Sequence, residues 1–186
     1  MRKIVTAMSV SLDGFMEGPG GEIDWHMVDD ELHTHFNEHL GTMSAFMNGR
    51  VSYELMEGFW PAADADPANP KPVAEFAAIW RDTPKFVYSR TLDHVGPNAT
   101  LVRDVVPEEI AELKARPGGN MTVGGAGLVA SFQRHDLIDE YHLYVHPLVL
   151  GAGKPLLPPG AAFDLELTET RVFGNGVVLL RYRRPR

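Results

Sequence analysis

The sequence contains no cysteine. This absence excludes disulfide bonds, thiolate nucleophiles and cysteine-ligated zinc, and it is compatible with a reducing compartment. The chain also lacks a run of roughly 18 to 20 apolar residues, the length of a membrane-spanning helix. Its first residues, MRKIVTAMSVSLDG, become polar too early for a signal peptide. We therefore expect a soluble, cytoplasmic protein.

Positive charge is also scarce. Lys and Arg number 17 against 25 Asp and Glu, which gives a formal net charge of -8. Nucleic acids and anionic membranes select basic protein surfaces, so neither is an expected partner. Any site for an anion must be local.

The 186 residues, 44% of them hydrophobic, predict one globular domain over residues 1–186. Strand-like and helix-like segments alternate through two thirds of the chain, and consecutive strands follow. This order predicts an α/β fold with a mostly parallel central sheet, helices on both faces and a C-terminal antiparallel hairpin. Residues 61–72 hold four prolines and are predicted to form a flexible loop.

The stretch MTVGGAGLVASF, residues 121–132, runs from a strand through glycines into an apolar helix. A helix that begins at such a turn presents free N–H groups and the positive end of its dipole, which favour phosphate. Gly125 to Ala130 also match the dinucleotide-binding pattern G-x-G-x-x-A. The alternative is that Gly124 and Gly125 only turn the chain. Because mostly strands follow, a two-halved Rossmann fold is not expected.

Two further segments have the same strand-to-turn character. Gly49, Arg50 and Ser52 stand where a strand passes into a helix, and Ser89 and Arg90 follow another strand. Arginine binds phosphate through two parallel hydrogen bonds, and serine adds a hydroxyl donor. A solvated arginine and a capping serine are the alternative interpretation.

Four histidines, at 26, 33, 35 and 39, surround one predicted helix, where Glu31, His35 and His39 share a face. Isolated helix histidines are usually surface residues, and neither H-E-x-x-H nor G-x-S-x-G occurs, so we predict neither a metal site nor a Ser-His-Asp hydrolase.

Taken together, the motifs resemble the dihydrofolate-reductase-like superfamily, and within it the reductase domain of riboflavin-biosynthesis deaminase-reductases. The resemblance covers essentially the whole chain. The segments that carry it are SLDG (11–14), IDW with the acids that follow (23–30), GRVSYE (49–54), YSR (88–90), GGAGLVASF (124–132) and DEYHLYVHPLVLGAGKPL (139–156).

The resemblance implies a three-layer fold and NADPH as hydride donor. It places Arg50 near the adenosine 2′-phosphate and the double-glycine turn at the pyrophosphate, often with a cis peptide between the glycines. The cofactor-binding residues that it implies are Gly49, Arg50, Val51, Ser52, Ser89, Arg90, Gly124, Gly125, Ala126 and Gly127.

The resemblance also implies a pteridine, pyrimidine or related heterocycle as substrate, including 5-amino-6-(5-phosphoribosylamino)uracil reductase activity. An acid after the tryptophan would supply or orient a proton, and Asp30 matches that spacing best, with Asp13 the second candidate. A first-turn helix acid and a turn residue are the alternatives for these two. The substrate-binding residues that it implies are Asp13, Trp25, Asp29, Asp30 and Lys154.

The sequence departs from its relatives in two ways. HMVD replaces the proline-containing segment between the tryptophan and the acid, which weakens the case for folate. No basic cluster is evident for a ribose phosphate: Lys154 is a candidate, and a solvated loop lysine is the alternative. No deaminase half is present. A non-catalytic nucleotide-binding protein is the rival hypothesis, because hydride chemistry resides in the cofactor. The resemblance further implies a homodimer, with the C-terminal strands available for pairing.

Overall fold

The computed structural model describes residues 1–185 and has an eight-stranded sheet at its centre. Its strands are β1 (Ile4–Val10), β3 (Ala45–Gly49), β4 (Lys85–Tyr88), β5 (Ala99–Val102), β6 (Met121–Gly124), β7 (Glu140–Val145), β9 (Glu166–Val172) and β10 (Val178–Arg183). A separate two-stranded sheet pairs β2 (Phe15–Glu17) with β8 (Lys154–Pro155). The helices are α1 (Asp30–Leu40), α2 (Arg50–Glu57), α3 (Lys71–Asp82), α4 (Pro107–Ala115) and α5 (Ala126–Arg134).

The order of strands in the large sheet is β5-β4-β3-β6-β1-β7-β10-β9. The pairs from β5 to β7 are parallel, whereas β10 runs antiparallel to both β7 and β9. The predicted α/β fold with a mostly parallel sheet and a C-terminal antiparallel hairpin is confirmed. The sequence analysis did not predict the small sheet of β2 and β8.

Helices cover both faces of the sheet, as predicted. Along β3, Ala45 and Met47 pack in the cluster that includes residues of α4 and α5, whereas Phe46 packs with aromatic residues of α2 and α3. This alternation follows from the two-residue period of a strand. The Phe46 ring stacks on Trp80 of α3 at a centroid distance of 5.8 Å.

The segments predicted to bind the cofactor meet where the chain changes face. Strands β3 and β6 are parallel neighbours, but α2, which follows β3, and α5, which follows β6, pack on opposite faces. In open α/β sheets such a switch point leaves a crevice beyond the carboxyl ends of the strands, where ligands bind. The fold therefore places residues 48–52 and 124–127 around one crevice.

The prediction of a flexible loop over residues 61–72 is wrong at both ends of the segment. Trp60–Ala65 forms a 3-10 helix that packs on α3, and Arg81 of α3 joins the two through an ion pair with Asp64 at 2.6 Å. Two of the four prolines begin helices instead of interrupting them. Pro61 and Pro72 stand in the first turns of these helices, where a missing N–H has no cost.

Strand β9 forms one edge of the large sheet, and every residue along it is exposed. The predicted homodimer would pair the C-terminal strands of two subunits, and β9 is the one at the sheet edge. The homodimer stays a prediction. No helix within residues 1–185 combines the length and apolarity that crossing a membrane requires.

Candidate active site

The glycine turn brings two helix N-termini together. Asn48, at the end of β3, pairs in register with Gly124 of β6, and α2 and α5 begin immediately after Gly49 and Gly125. A Cβ atom added at Gly125 would lie 3.0 Å from the Cβ of Ser52, so the first turn of α2 directly contacts the glycine turn. Gly125 has φ +86°, and its peptide bond to Gly124 is trans, so the cis bond implied by the resemblance is not found.

Neither of these helix N-termini has a side-chain cap. By contrast, the N-terminus of α1 is capped by Asp29, whose carboxylate accepts a hydrogen bond from the Leu32 N–H at 2.9 Å. Beside the glycine turn, Asn48 donates to the Ser52 hydroxyl at 3.4 Å, while the Asn48 side-chain oxygen is buried without a partner. Two uncapped N-termini in one crevice offer free backbone N–H groups of the kind that bind phosphate.

A polar pocket of about 430 Å³ lies beyond the carboxyl ends of β4 and β5. It contains the guanidinium groups of Arg90, Arg103 and Arg134 against one carboxylate, that of Asp104, which pairs with Arg90. Its remaining lining residues are Tyr88, Ser89, Val105, Gly127, Ser131 and His135. The local excess of positive charge on a protein of net charge -8 marks this pocket as an anion site.

The sequence analysis predicted Ser89, Arg90 and Gly127 for this region but missed Arg103, Ser131 and Arg134. The last two follow Gly127 at four and seven residues and therefore share one face of α5, a spacing that could have identified them. Arg103 also donates to the carbonyls of Ser89 and Leu92, which fixes the loop after β4.

Arg50 does not line the polar pocket. Its guanidinium donates to the Glu54 carboxylate at 2.8 Å along the exposed side of α2, and Val51 beside it is 67% exposed. The assignment of Arg50 to the 2′-phosphate stays a prediction, in competition with the three arginines described above.

An apolar pocket of about 620 Å³ lies on the opposite face, between β1 and helices α1, α2 and α3. Aromatic and aliphatic side chains dominate its walls, and no Asp, Glu, Lys or Arg is among the residues that line it. Those residues are Ala7, Met8, Ser9, Ile23, His26, Val28, His33, Phe36, His39, Leu40, Leu55, Met56, Phe59, Trp60, Phe76 and Tyr144.

Three imidazoles in this pocket replace the carboxylate that the sequence analysis expected there. Burial lowers the pKa of His26 and of His33. The pKa of His39 is lowered to about 3, mainly by burial and, to a lesser extent, by the neighbouring His142. The interpretation of these histidines as surface residues is wrong, since α1 packs its histidines inwards and His35 is only 7% exposed. Among the described residues, no three His, Cys, Asp or Glu side chains form a group that could hold a metal ion.

Buried neutral histidines make the fold sensitive to acid. Burial also lowers the pKa of His146, to about 4. Between an unfolded pKa of 6.5 and the folded values, the unfolded chain binds protons that the folded protein does not, so stability falls as the pH falls. We expect the free energy of unfolding to drop between pH 7 and 5.5 by roughly 1 kcal/mol for each of His39 and His146.

Urea unfolding at the two pH values measures this loss. The pKa of Glu140 lies at about 2, so the ionisation of this carboxylate contributes little in the chosen window. The variant His39→Gln removes one titrating group and should show a smaller pH dependence. Equal unfolding free energies at pH 7 and 5.5 in the wild type would contradict the prediction.

The residues predicted to bind the substrate do not lie together in one site. Asp29 caps α1, and Asp30 lies near His33 on the same helix, with its negative charge acting to raise the pKa of that imidazole. Trp25 packs its ring edge-on against His26 and His146, at centroid distances of 4.3 and 5.4 Å. Neither Asp30 nor Trp25 is among the lining residues of the apolar pocket.

Asp13 and Lys154 belong to the loop region around the small sheet. The Asp13 carboxylate accepts backbone hydrogen bonds from Leu150 and Gly151, at 3.1 and 2.8 Å, and a hydrogen bond from Ser11 leads the interactions that lower its pKa. An ionised Asp13 ties two loops together. Lys154 is exposed on β8, opposite Glu17.

Comparison with known proteins places this geometry in a family. The sequence model of the RibD C-terminal domain matches residues 2–179. The chain belongs to the RibD C-terminal domain family. The uncharacterized protein YyaP of Bacillus subtilis (strain 168) is 35% identical over 97% of this chain and 94% of its own length.

Two solved structures share the fold of this RibD C-terminal domain protein. A candidate riboflavin biosynthesis protein from Shewanella sp. PV-4 is 24% identical, with a TM-score of 0.76 over the whole of both chains. Dihydrofolate reductase from Enterococcus faecalis, complexed with NADP(H) and RAB-propyl, is 16% identical, with a TM-score of 0.65 over 99% of this chain and 97% of that one. The predicted dihydrofolate-reductase-like fold is confirmed, and the family supports a reductase of the riboflavin or folate type.

Proposed function

We propose that this protein is an NADPH-dependent reductase that transfers a hydride to an uncharged planar heterocycle, a pteridine or a pyrimidine. The observation that carries the proposal is the position of the two uncapped helix N-termini, in a crevice with an arginine-rich pocket and an apolar pocket available on either side of the sheet. In this arrangement the arginine-rich pocket would take the adenosine phosphate and the crevice would take the pyrophosphate, and the apolar pocket would bring the nicotinamide to the substrate ring.

The residues present fit such a cofactor. A Cβ at Gly125 would lie 3.0 Å from the Cβ of Ser52, so the turn leaves no room for a side chain, and both helix N-termini beside it lack a side-chain cap. The residues at 49–52 and 124–127 would hold the pyrophosphate, and Ser89, Arg90, Ser131 and Arg134 would hold the 2′-phosphate of the adenosine. When bound, the dihydronicotinamide supplies the hydride.

The apolar pocket suits a flat, uncharged ring. Phe36, Phe59, Trp60 and Phe76 provide aromatic surface, and the histidines provide hydrogen bonds without full charges. A phosphorylated pyrimidine, as in the riboflavin pathway, would require a cation in or near the pocket, and Lys154 is not among its lining residues. We therefore favour an unphosphorylated substrate.

The carboxylates take supporting roles in this proposal. Asp30 acts on the pocket through the neighbouring His33, and the ionised Asp13 holds the loop 148–151 in place rather than donating a proton. A cytoplasmic homodimer remains part of the proposal, on the basis of the resemblance.

Titration of the purified protein with NADPH and, separately, with NADH tests the proposed function. We expect at least tenfold tighter binding of NADPH by calorimetry or nucleotide fluorescence, and oxidation of bound NADPH by a dihydropterin or a pyrimidine. Tight NADPH binding with no oxidation by any such acceptor would favour the non-catalytic alternative. Binding of neither nucleotide would remove the cofactor assignment.

A further inference from the structure

The apolar pocket has no acidic side chain among its lining residues, yet reduction of a C=N or C=O bond requires a proton as well as a hydride. Three imidazoles, one phenol and one serine hydroxyl are its proton-bearing groups. One of these imidazoles, that of His39, is the first member of a hydrogen-bonded chain that leads away from the pocket.

The chain passes through the interior to the amino-terminal edge of the sheet. Nε2 of His39 lies 3.2 Å from Nδ1 of His142, and Nε2 of His142 lies 3.3 Å from Glu140 Oε2. The other oxygen of Glu140 accepts from Lys3 Nζ at 2.6 Å. The side chain of His142 is 6% exposed, that of Glu140 21% and that of Lys3 53%, so the chain runs from the pocket through the interior to an exposed lysine.

The carboxylate fixes the direction of the hydrogen bonds. The bond from His142, followed by the one from Lys3, lowers the pKa of Glu140 to about 2, so this group is an ionised acceptor. His142 must then donate from Nε2, and its Nδ1 is left to accept a hydrogen bond from Nε2 of His39. Nδ1 of His39 is the nitrogen that remains for a ligand in the pocket.

We propose that Glu140, His142 and His39 form a proton relay that delivers solvent protons to the hydride acceptor in the apolar pocket. The relay rests on the proposed function. His39 is its catalytic residue, and His142 and Glu140 are positioning residues.

The relay takes up one proton from solvent at Nδ1 of His39, on the side of the open pocket, and the Nε2 proton of His39 passes to Nδ1 of His142. His142 then carries N–H groups on both nitrogens, and His39 is neutral with its N–H on Nδ1. Bound NADPH would supply a hydride to the carbon of a C=N bond and become NADP⁺, and as the π bond breaks the nitrogen of the acceptor would take the proton from Nδ1 of His39. The Nδ1 proton of His142 would return to Nε2 of His39, which restores the resting arrangement.

Burial and the surrounding charges keep His39 neutral at rest. Burial has the largest effect in lowering the pKa of His39, and His142, Arg181 of β10 and His35 of α1 lower it further, whereas Glu140 acts to raise it. Arg183 of β10 stands opposite Glu140 in register, near Lys3. The ionised Glu140 is therefore the group in the chain that stabilises the additional proton.

The imidazole tautomers provide a test that does not depend on turnover. Long-range ¹H–¹⁵N spectra of the wild-type protein at pH 7 should show both His39 and His142 with the proton on Nε2. A proton on Nδ1 of either resting imidazole would overturn the relay. The tautomer result does not depend on turnover. It holds even if no tested acceptor oxidises NADPH, in which case the proposed function fails separately.

Kinetics with NADPH and 7,8-dihydrobiopterin test proton delivery. Glu140→Gln should lower kcat by 10- to 100-fold with KM unchanged, and the fall of kcat with rising pH should move to lower pH, because the negative charge is lost. Glu140→Asp should restore part of the rate. Wild-type kcat in Glu140→Gln would overturn the proposal.

Two further variants keep the kinetic test specific. Glu166→Gln removes an exposed carboxylate of the edge strand β9, which pairs with Arg183 of β10. This variant should retain the wild-type kcat. His39→Ala should lose activity and regain it with added imidazole, whereas a structural role of His39 would give no rescue.

Discussion

Replacing Gly125 with alanine is expected to weaken NADPH binding by about 100-fold or more. The backbone at this residue has φ +86° and ψ 124°, a sparsely populated conformation that costs a residue with a Cβ roughly 1 to 3 kcal/mol. The new methyl group would also lie 3.0 Å from the Cβ of Ser52, which belongs to the first turn of α2 and cannot swing aside. The turn must therefore open, and the two helix N-termini separate. Calorimetric titration with NADPH measures the effect.

Gly160→Ala is the matched control for this substitution. Gly160 has a similar φ of +82°, but a Cβ there would meet no atom within 4 Å. Both variants should lose stability from the positive φ, whereas only Gly125→Ala should lose NADPH affinity. Wild-type affinity in Gly125→Ala would show that the glycine turn does not hold the pyrophosphate.

The sequence predicted this turn because its signal is local. Gly124 and Gly125 follow a β-branched strand and precede an apolar helix, and the parallel order of the strands follows from their alternation with helices. The proline-rich segment shows the limit of such signals, because Pro61 and Pro72 begin helices rather than interrupt them.

The relay and the polar pocket depend instead on contacts between distant parts of the chain. His39 meets His142, 103 residues further along, only because β7 lies beneath the last turn of α1. Arg103 and Arg134 reach Arg90 from the end of β5 and from α5. The spacing within α5 relates Arg134 only to Gly127. Neither sequence spacing nor residue type predicts that the three arginines share one pocket or that His39 meets His142, because the strand order determines both.

The arginine pocket leads to the second large effect that we expect. Arg90→Ala combined with Arg134→Ala should weaken NADPH binding by about 100-fold and leave NADH binding within a factor of about three, since each charged hydrogen bond is worth roughly 1.5 to 3 kcal/mol. These two arginines are chosen because Arg103 also holds the loop after β4 through two carbonyls. The readout is the ratio of the dissociation constants for the two nucleotides.

Two single variants make the result decisive. Arg116→Ala changes an exposed arginine at the end of α4, outside the lining of the pocket, and should bind both nucleotides as the wild type does. Arg50→Ala compares the two assignments of the 2′-phosphate. Arg50 is held by Glu54 on the exposed side of α2, so we expect a small loss of NADPH affinity. A large loss in Arg50→Ala with none in the double variant would move the 2′-phosphate from the polar pocket to the start of α2, as the resemblance first implied.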